Sequence, residues 1–260
     1  MSAVLVTGAA GGLGAAVVEL FADRGWTVYA ADVVEPTVRA RVVPLVLDVT
    51  SDESVAAAVA SVPALDCVIN FAGVLGIGPL MDIPAERFGR VLDINVVGTH
   101  RVNRAFFGLV HASGGRIINI SSETGWQRAL PMNGPYATSK HAIEAYSDAL
   151  RRELMFVGVD VVVIQPGPFR TAMTGGIEAA FQAATVPGSP FERLARKVGR
   201  MAAGEQAKAH DPAVLAEVIW QAATAAKPKA RYSVKPDPAR TLMHRLPTSV
   251  VDRLLKKTLG

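Results

Sequence analysis

Apolar residues along this chain fall into short, uniform runs separated by longer stretches in which they recur every three or four positions. The first run, Ala3-Val4-Leu5-Val6, is apolar throughout, as expected of a strand buried on both faces of a parallel sheet. Comparable runs at Thr27 to Ala31, Val42 to Leu47, Cys67 to Asn70, Arg116 to Ile120, Val159 to Ile164 and Arg231 to Val234 predict further strands. Between them the period changes. From Leu13 to Arg24 the residues Leu13, Val17, Leu20 and Phe21 repeat at helical spacing, and Gly25 stands where a helix-ending glycine would. Helical patterns also run from Pro84 to Val110, from about Pro135 to Phe156 and from about Pro212 to Ala225. Strands alternating with helices predict an α/β fold: one doubly wound, Rossmann-type parallel sheet with helices on both faces, in a single domain over 1–260.

Two segments depart from the alternation. Residues 171–205 mix helical fragments with Gly175, Gly176, Pro187, Gly188 and Pro190 and are read as a substrate lid. In 236–260, Leu242, Leu246, Val250, Leu254 and Leu255 alternate with Arg240, Arg245, Arg253, Lys256 and Lys257. Such a basic amphipathic extension suits peripheral contact with an anionic membrane, and equally suits packing on the lid or on another subunit.

With 260 residues, half of them hydrophobic and 19% charged, the chain can bury a large core, which excludes extensive disorder. Its net charge is +4. For most of the length basic and acidic residues are interspersed, so the charge describes a solvated surface and no nucleic-acid partner is expected. A single cysteine, Cys67, rules out an intrachain disulfide and fits a reducing, cytoplasmic compartment. None of the five histidines has metal-ligand spacing, and no metal is expected. No apolar run is long enough to span a bilayer.

The candidate chemistry begins at the first strand-to-helix turn, Thr7-Gly8-Ala9-Ala10-Gly11-Gly12-Leu13-Gly14. Backbone amides there, together with the helix N-terminus, can face a pyrophosphate, and Gly8, Gly12 and Gly14 let the chain turn tightly and approach it. Asp32 follows the second strand, where a carboxylate accepts hydrogen bonds from ribose hydroxyls. It would repel a phosphate on that ribose by about 4 kcal/mol per unit charge at ~4 Å and an effective dielectric of ~20. Val33 and Val34 offer no compensating base, so NAD is expected in preference to NADP.

Further along, Tyr136 and Lys140 stand four residues apart, which brings phenol and ammonium to one helix face. An ammonium at ~5 Å contributes about 3 kcal/mol, or roughly two pKa units downward, and the positive charge of an oxidised nicotinamide acts in the same direction, so Tyr136 is expected to act as a base near neutral pH. Ser122, at the end of the fifth strand, lies on the carboxyl edge where ligands bind, and its hydroxyl can hold a substrate oxygen.

The order TGxxxGxG, then YxxxK, resembles the short-chain dehydrogenase/reductase family, over about Ala3 to Thr171. The residues Lys140 to Asp148 and Arg151 to Leu154 are similar to its steroid and retinol dehydrogenase branch. The resemblance implies a catalytic set of Asn95, Ser122, Tyr136 and Lys140, with Asn95 supporting a water-linked proton relay and Lys140 also holding the nicotinamide ribose. It implies cofactor contacts at Thr7, Gly8, Gly12, Leu13, Gly14, Asp32, the adenine-edge pair Asp48 and Val49, and the turn Asn70-Phe71-Ala72-Gly73. There Phe71 replaces the second asparagine of the family's NNAG, which puts any role of that side chain in doubt, while Asn70, Ala72 and Gly73 remain. Pro166, Gly167, Phe169 and Thr171 match a PGxxxT segment that holds the nicotinamide carboxamide. It further implies a homodimer or homotetramer.

Leu75, Leu80, Trp126, Leu130, Met132, Met173, Ile177, Phe181 and Phe191 are candidates for an apolar pocket, or for packing the lid onto the body. The expected function is NAD(H)-dependent hydride transfer between nicotinamide and a lipophilic secondary alcohol or ketone of steroid, retinoid or fatty type. The alternatives are an NADP-dependent ketone reductase and a catalytically idle NAD(H)-sensing or scaffold protein of the same fold.

Overall fold

The computed structural model describes residues 2–170 and 176–260. Seven parallel strands form one sheet in the order β3-β2-β1-β4-β5-β6-β7, with β1 (Ala3–Thr7), β2 (Thr27–Asp32), β3 (Val42–Val46), β4 (Cys67–Asn70), β5 (Arg116–Ile120), β6 (Asp160–Pro166) and β7 (Arg231–Val234). The order reverses between β1 and β4, which pair from Val4 opposite Cys67 to Thr7 opposite Asn70. The crevice at that switch point is where an open α/β sheet takes its ligand.

Successive strand residues point to opposite faces, so each uniformly apolar strand feeds two cores. Val4, Val6, Val28, Ile69, Ile118 and Ile164 face α1 (Gly12–Asp23) and α8 (Pro212–Thr224), which bury Val17, Phe21, Leu215 and Ile219. Ala3, Leu5, Val68, Ile117 and Val161 face α2 (Asp52–Ala60), α4 (Gly98–Ser113) and α5 (Gly134–Leu154), with Val55, Val102, Phe106 and Leu154 among the buried contacts. Edge strand β3 leaves Val43 and Val46 exposed and carries Pro44 where no further partner strand needs its amide.

The pattern over Pro84 to Val110 predicts one helix. The structure instead makes α3 (Ala85–Leu92) and α4 with a wider π turn, Asp93–Val97, between them. Such a turn inserts an extra residue into the helix, a feature frequent at functional sites, and Asn95 sits in it. The lid contributes α6 (Ile177–Ala183) and α7 (Glu192–Gln206), and the C-terminal extension is two helices, α9 (Pro238–Arg245) and α10 (Thr248–Leu259). Pro247 separates them: it lacks an amide proton and disfavours a helical residue before it, and Leu246 is extended. No helix among the described residues is long and apolar enough to cross a membrane.

Phe106 is fully buried beneath the sheet. Phe106→Ala should lower stability by about 3–5 kcal/mol. Cys67 offers the readout, since burial pushes its thiol up to about 12 and keeps it unreactive in the native state. Its alkylation rate should rise sharply in the variant; a rate equal to wild type would show that this face does not carry the core.

Candidate active site

The glycine-rich turn between β1 and α1 depends on close backbone approach. Gly8 adopts φ +67°, and a Cβ there would lie 2.8 Å from the Ala72 amide nitrogen, while one on Gly14 would overlap the Gly8 carbonyl oxygen. Thr7 Oγ1 accepts the Ala72 amide at 3.1 Å, tying the end of β1 to the turn after β4. Helix α1 begins on Gly11 with no side-chain cap. Its first amides, which have no partner within the helix, are therefore left for an anion. Asp32 closes the far side: its carboxylate accepts the Ala10 amide at 3.0 Å and the Val34 amide at 3.4 Å. Asp48 accepts the Thr50 hydroxyl at 2.7 Å and amide at 2.8 Å, and these bonds hold its carboxyl below the usual range.

At the other end of the cleft, Ser122 follows β5 and its Oγ accepts the Thr124 amide at 3.2 Å. Helix α5 presents Tyr136 and Lys140 on one face, with the Lys140 Nζ 5.6 Å from the centre of the Tyr136 ring. The ammonium is buried and donates to the Ile120 carbonyl at 2.8 Å. Burial holds Lys140 down to about 8 against the pull of Glu144. Tyr136 lines the same cleft. Burial pushes its phenol above the ordinary value, outweighing the hydrogen bond from Ser122 that pulls it down. Of the charged side chains facing it, Glu123 pushes the phenol up and Arg240 pulls it down.

Asn95 is buried within the wider turn. Its Oδ1 accepts the Val74 amide at 2.8 Å, and its Nδ2 donates to the Val74 carbonyl at 3.0 Å and to Ser139 Oγ at 2.9 Å. It thus pins the turn after β4 to α5. The Asn70 side chain also points away from the cleft: its Nδ2 donates to Asn103 at 2.7 Å and Asn119 at 3.0 Å, and Asn119 donates to Ser147 at 3.0 Å. These buried amides join β4, α4, β5 and α5 behind the site.

One cavity of about 760 Å³ connects the two ends. Thr7, Gly8, Gly12, Leu13, Gly14, Asp32, Asp48, Val49, Ala72, Gly73, Ser122, Tyr136, Lys140, Pro166, Gly167 and Phe169 all line it. Asn70 and Asn95 support its wall from behind, and Thr171 lies outside the described residues, as does Met173. Of the described pocket candidates, Leu75 and Ile177 line the cavity. Phe181 and Met132 pack with Ile77, Ala184 and Ala195 and hold the lid to the body.

The lining also contains Arg90, Glu205 and Gln206, which no motif marks. Also illegible in sequence is the docking of the segment after Ser122 onto the C-terminal helices. Trp126 meets the His244 ring edge-on, Gln127 donates to Thr241 Oγ1 at 3.1 Å, and Arg128 donates to the Leu246 carbonyl at 2.6 Å.

The glycine-rich turn and a Tyr–Lys–Ser cluster lie at opposite ends of one cleft, an arrangement that suits a nucleotide-linked enzyme. Over residues 2–181 the sequence matches the model of the short chain dehydrogenase family. The chain belongs to that family. This short-chain dehydrogenase is 33% identical over its whole length to the NADPH-dependent 3-dehydrocapnine reductase of Ornithobacterium rhinotracheale, covering 98% of that protein. Retinol dehydrogenase 16 of Rattus norvegicus is 31% identical over 96% of this chain and 86% of its own length. A crystal structure of a short-chain dehydrogenase from Streptomyces avermitilis shares the fold with a TM-score of 0.79, at 26% identity, over 98% of this chain and 96% of that one.

The depressed Lys140 has a measurable consequence. The folded dehydrogenase releases this proton near pH 8, whereas the unfolded chain holds it to 10.5, so between those values the unfolded state binds more protons and stability rises with pH. Relative to Lys140→Met, the wild type should gain on the order of 3 kcal/mol across that window. Denaturant titrations of both proteins at pH 7 and 10.5 check this; a constant difference would refute the burial of the charged form.

Proposed function

We propose that this dehydrogenase transfers hydride between NAD(H) and a secondary alcohol or its ketone, with a lipophilic substrate. The convergence of Ser122, Tyr136 and Lys140 on the cavity that the phosphate loop also lines carries this reading. The site fits a dinucleotide: Gly8 and Gly14 leave no room for a Cβ and so keep the turn tight, the uncapped start of α1 lines the cavity, and the cavity is of cofactor size. When bound, the nicotinamide supplies or accepts the hydride and, when oxidised, brings a positive charge beside Tyr136. In alcohol oxidation, Ser122 Oγ donates to the substrate oxygen and Tyr136 Oη takes its proton. Lys140 favours the phenolate and holds the ribose, while Asn95 fixes the turn beneath both and supports the proton relay. Thr171 is assigned the carboxamide contact from its motif.

The Asp32 carboxylate at the cleft supports NAD over NADP, for the charge reason given above. A specific observation favours the second reading, NADP(H): the relative from Ornithobacterium rhinotracheale, similar along the whole chain, is NADPH-dependent. The retinol dehydrogenase relatives, with Leu75, Ile177 and Phe169 at the cavity, support a retinoid-, steroid- or fatty-type substrate. Exposed Met155, Phe156 and Val157 at the end of α5 support a homodimer or homotetramer, and the lone buried thiol, Cys67, suits a reducing, cytoplasmic compartment. Leu242, Val250 and Leu254, exposed beside the basic residues of α9 and α10, support peripheral membrane contact.

Fluorescence titration with NADH and NADPH decides between the cofactors. NADH should bind at least about ten-fold more tightly, and Asp32→Ser should narrow that ratio by relieving repulsion; tighter NADPH binding to wild type would reverse the assignment. With a panel of steroids, retinoids and aliphatic alcohols, NADH formation should fall by a factor of about 10² or more in Tyr136→Phe. NADH binding without any Tyr136-dependent turnover would support an idle, NAD(H)-sensing protein.

A further inference from the structure

The residue next to catalytic-site Ser122 is a buried acid. Glu123 leaves only 8% of its side chain exposed, and Arg240 of α9, which it meets at 2.9 Å, leaves 12%. The other Glu123 oxygen accepts the Asp237 amide at 2.7 Å, at the N-terminus of α9. Arg240 also reaches Thr124 Oγ1 at 3.4 Å, and its backbone amide is bound by Asp237 Oδ1 at 2.7 Å. Both carboxylate oxygens of Glu123 are therefore held by a segment more than a hundred residues away in sequence, with no residue between the pair and Ser122 to absorb a displacement.

We propose that Arg240 is a positioning residue: through Glu123 it holds the strand-end turn that carries Ser122, and so sets the serine hydroxyl against the Tyr136 phenol. The proposal rests on the hydride-transfer reading of the site. A buried carboxylate that loses its guanidinium must move toward water or take up a proton, and either change reaches Ser122 directly. The pair also acts at a distance. Around Tyr136 stand Ser122, Lys140, Glu123 and Arg240, with Asp237 and Glu205 beyond the pair. Glu123 pushes the phenol up and Arg240 pulls it down, so the intact pair shields Tyr136 from a neighbouring negative charge.

The test uses the full chain with Arg240→Met, Glu123→Gln and the double variant, assayed with both cofactors and the substrate panel. The Tyr136 titration is followed as the tyrosinate ultraviolet difference against Tyr136→Phe. Arg240→Met should lower kcat by about ten- to a hundred-fold and move the Tyr136 titration alkaline by about one pH unit. The double variant, with both charges gone, should return that titration to its wild-type position. An unchanged titration and kcat with only a lower Tm would overturn the proposal and leave the pair a structural brace. Should Arg240→Met not fold, Arg240→Lys keeps the charge but shortens the reach: the titration should stay and kcat should fall, and unchanged kcat would overturn the proposal. Absence of turnover with every substrate would reject the hydride-transfer reading, and with it a positioning role for Arg240 in that reaction, while the titration still reads the coupling.

Discussion

The bond from the Lys140 ammonium to the Ile120 carbonyl, 2.8 Å long and out of contact with water, joins α5 to the end of β5. That strand end is followed at once by Ser121 and Ser122, and Tyr136 lies one helical turn before the lysine. One interaction therefore holds serine, phenol and ammonium in a common frame. Its energetic burden is the desolvation of a charge, visible in the lysine's downward shift to about 8. A fold with a large, well-packed core can tolerate that burden, and the two apolar layers on either face of the sheet provide such a core.

The same dryness explains why Tyr136 is pushed up rather than down. Low polarity strengthens every charge–charge interaction and at the same time disfavours a lone phenolate. Of the charged side chains facing Tyr136, Glu123 pushes the phenol up and Arg240 pulls it down. In the proposed reaction an oxidised nicotinamide held in the cleft would add a positive charge and favour the phenolate.

Much of this was legible in the residue pattern. Parallel strands buried on both faces read as uniform apolar runs, and all seven were placed to within about two residues at each end. The glycine-rich turn was legible because only glycine satisfies the approach of Gly8 to Ala72 and of Gly14 to Gly8. Tyr136 and Lys140 were legible because four residues in a helix make neighbours. Harder to read were features set by contacts remote in sequence. The wider turn at Asp93–Val97 has no periodic signature, since apolar spacing looks continuous across it. Asn70 and Asn95 carry amides that serve equally as ligands or as braces, and only their neighbours in space show that both side chains face inward.

The sequence by itself determined the layered fold, the position of the glycine-rich turn and the pairing of phenol with ammonium, because each rests on local spacing and on backbone sterics. Tertiary structure decided what surrounds them: which lid residues face the cavity, how the segment after Ser122 docks on the C-terminal helices, and that Arg240 closes on the acid beside Ser122. Those outcomes depend on burial and on charges brought together from distant parts of the chain, and neither quantity exists until the chain has folded.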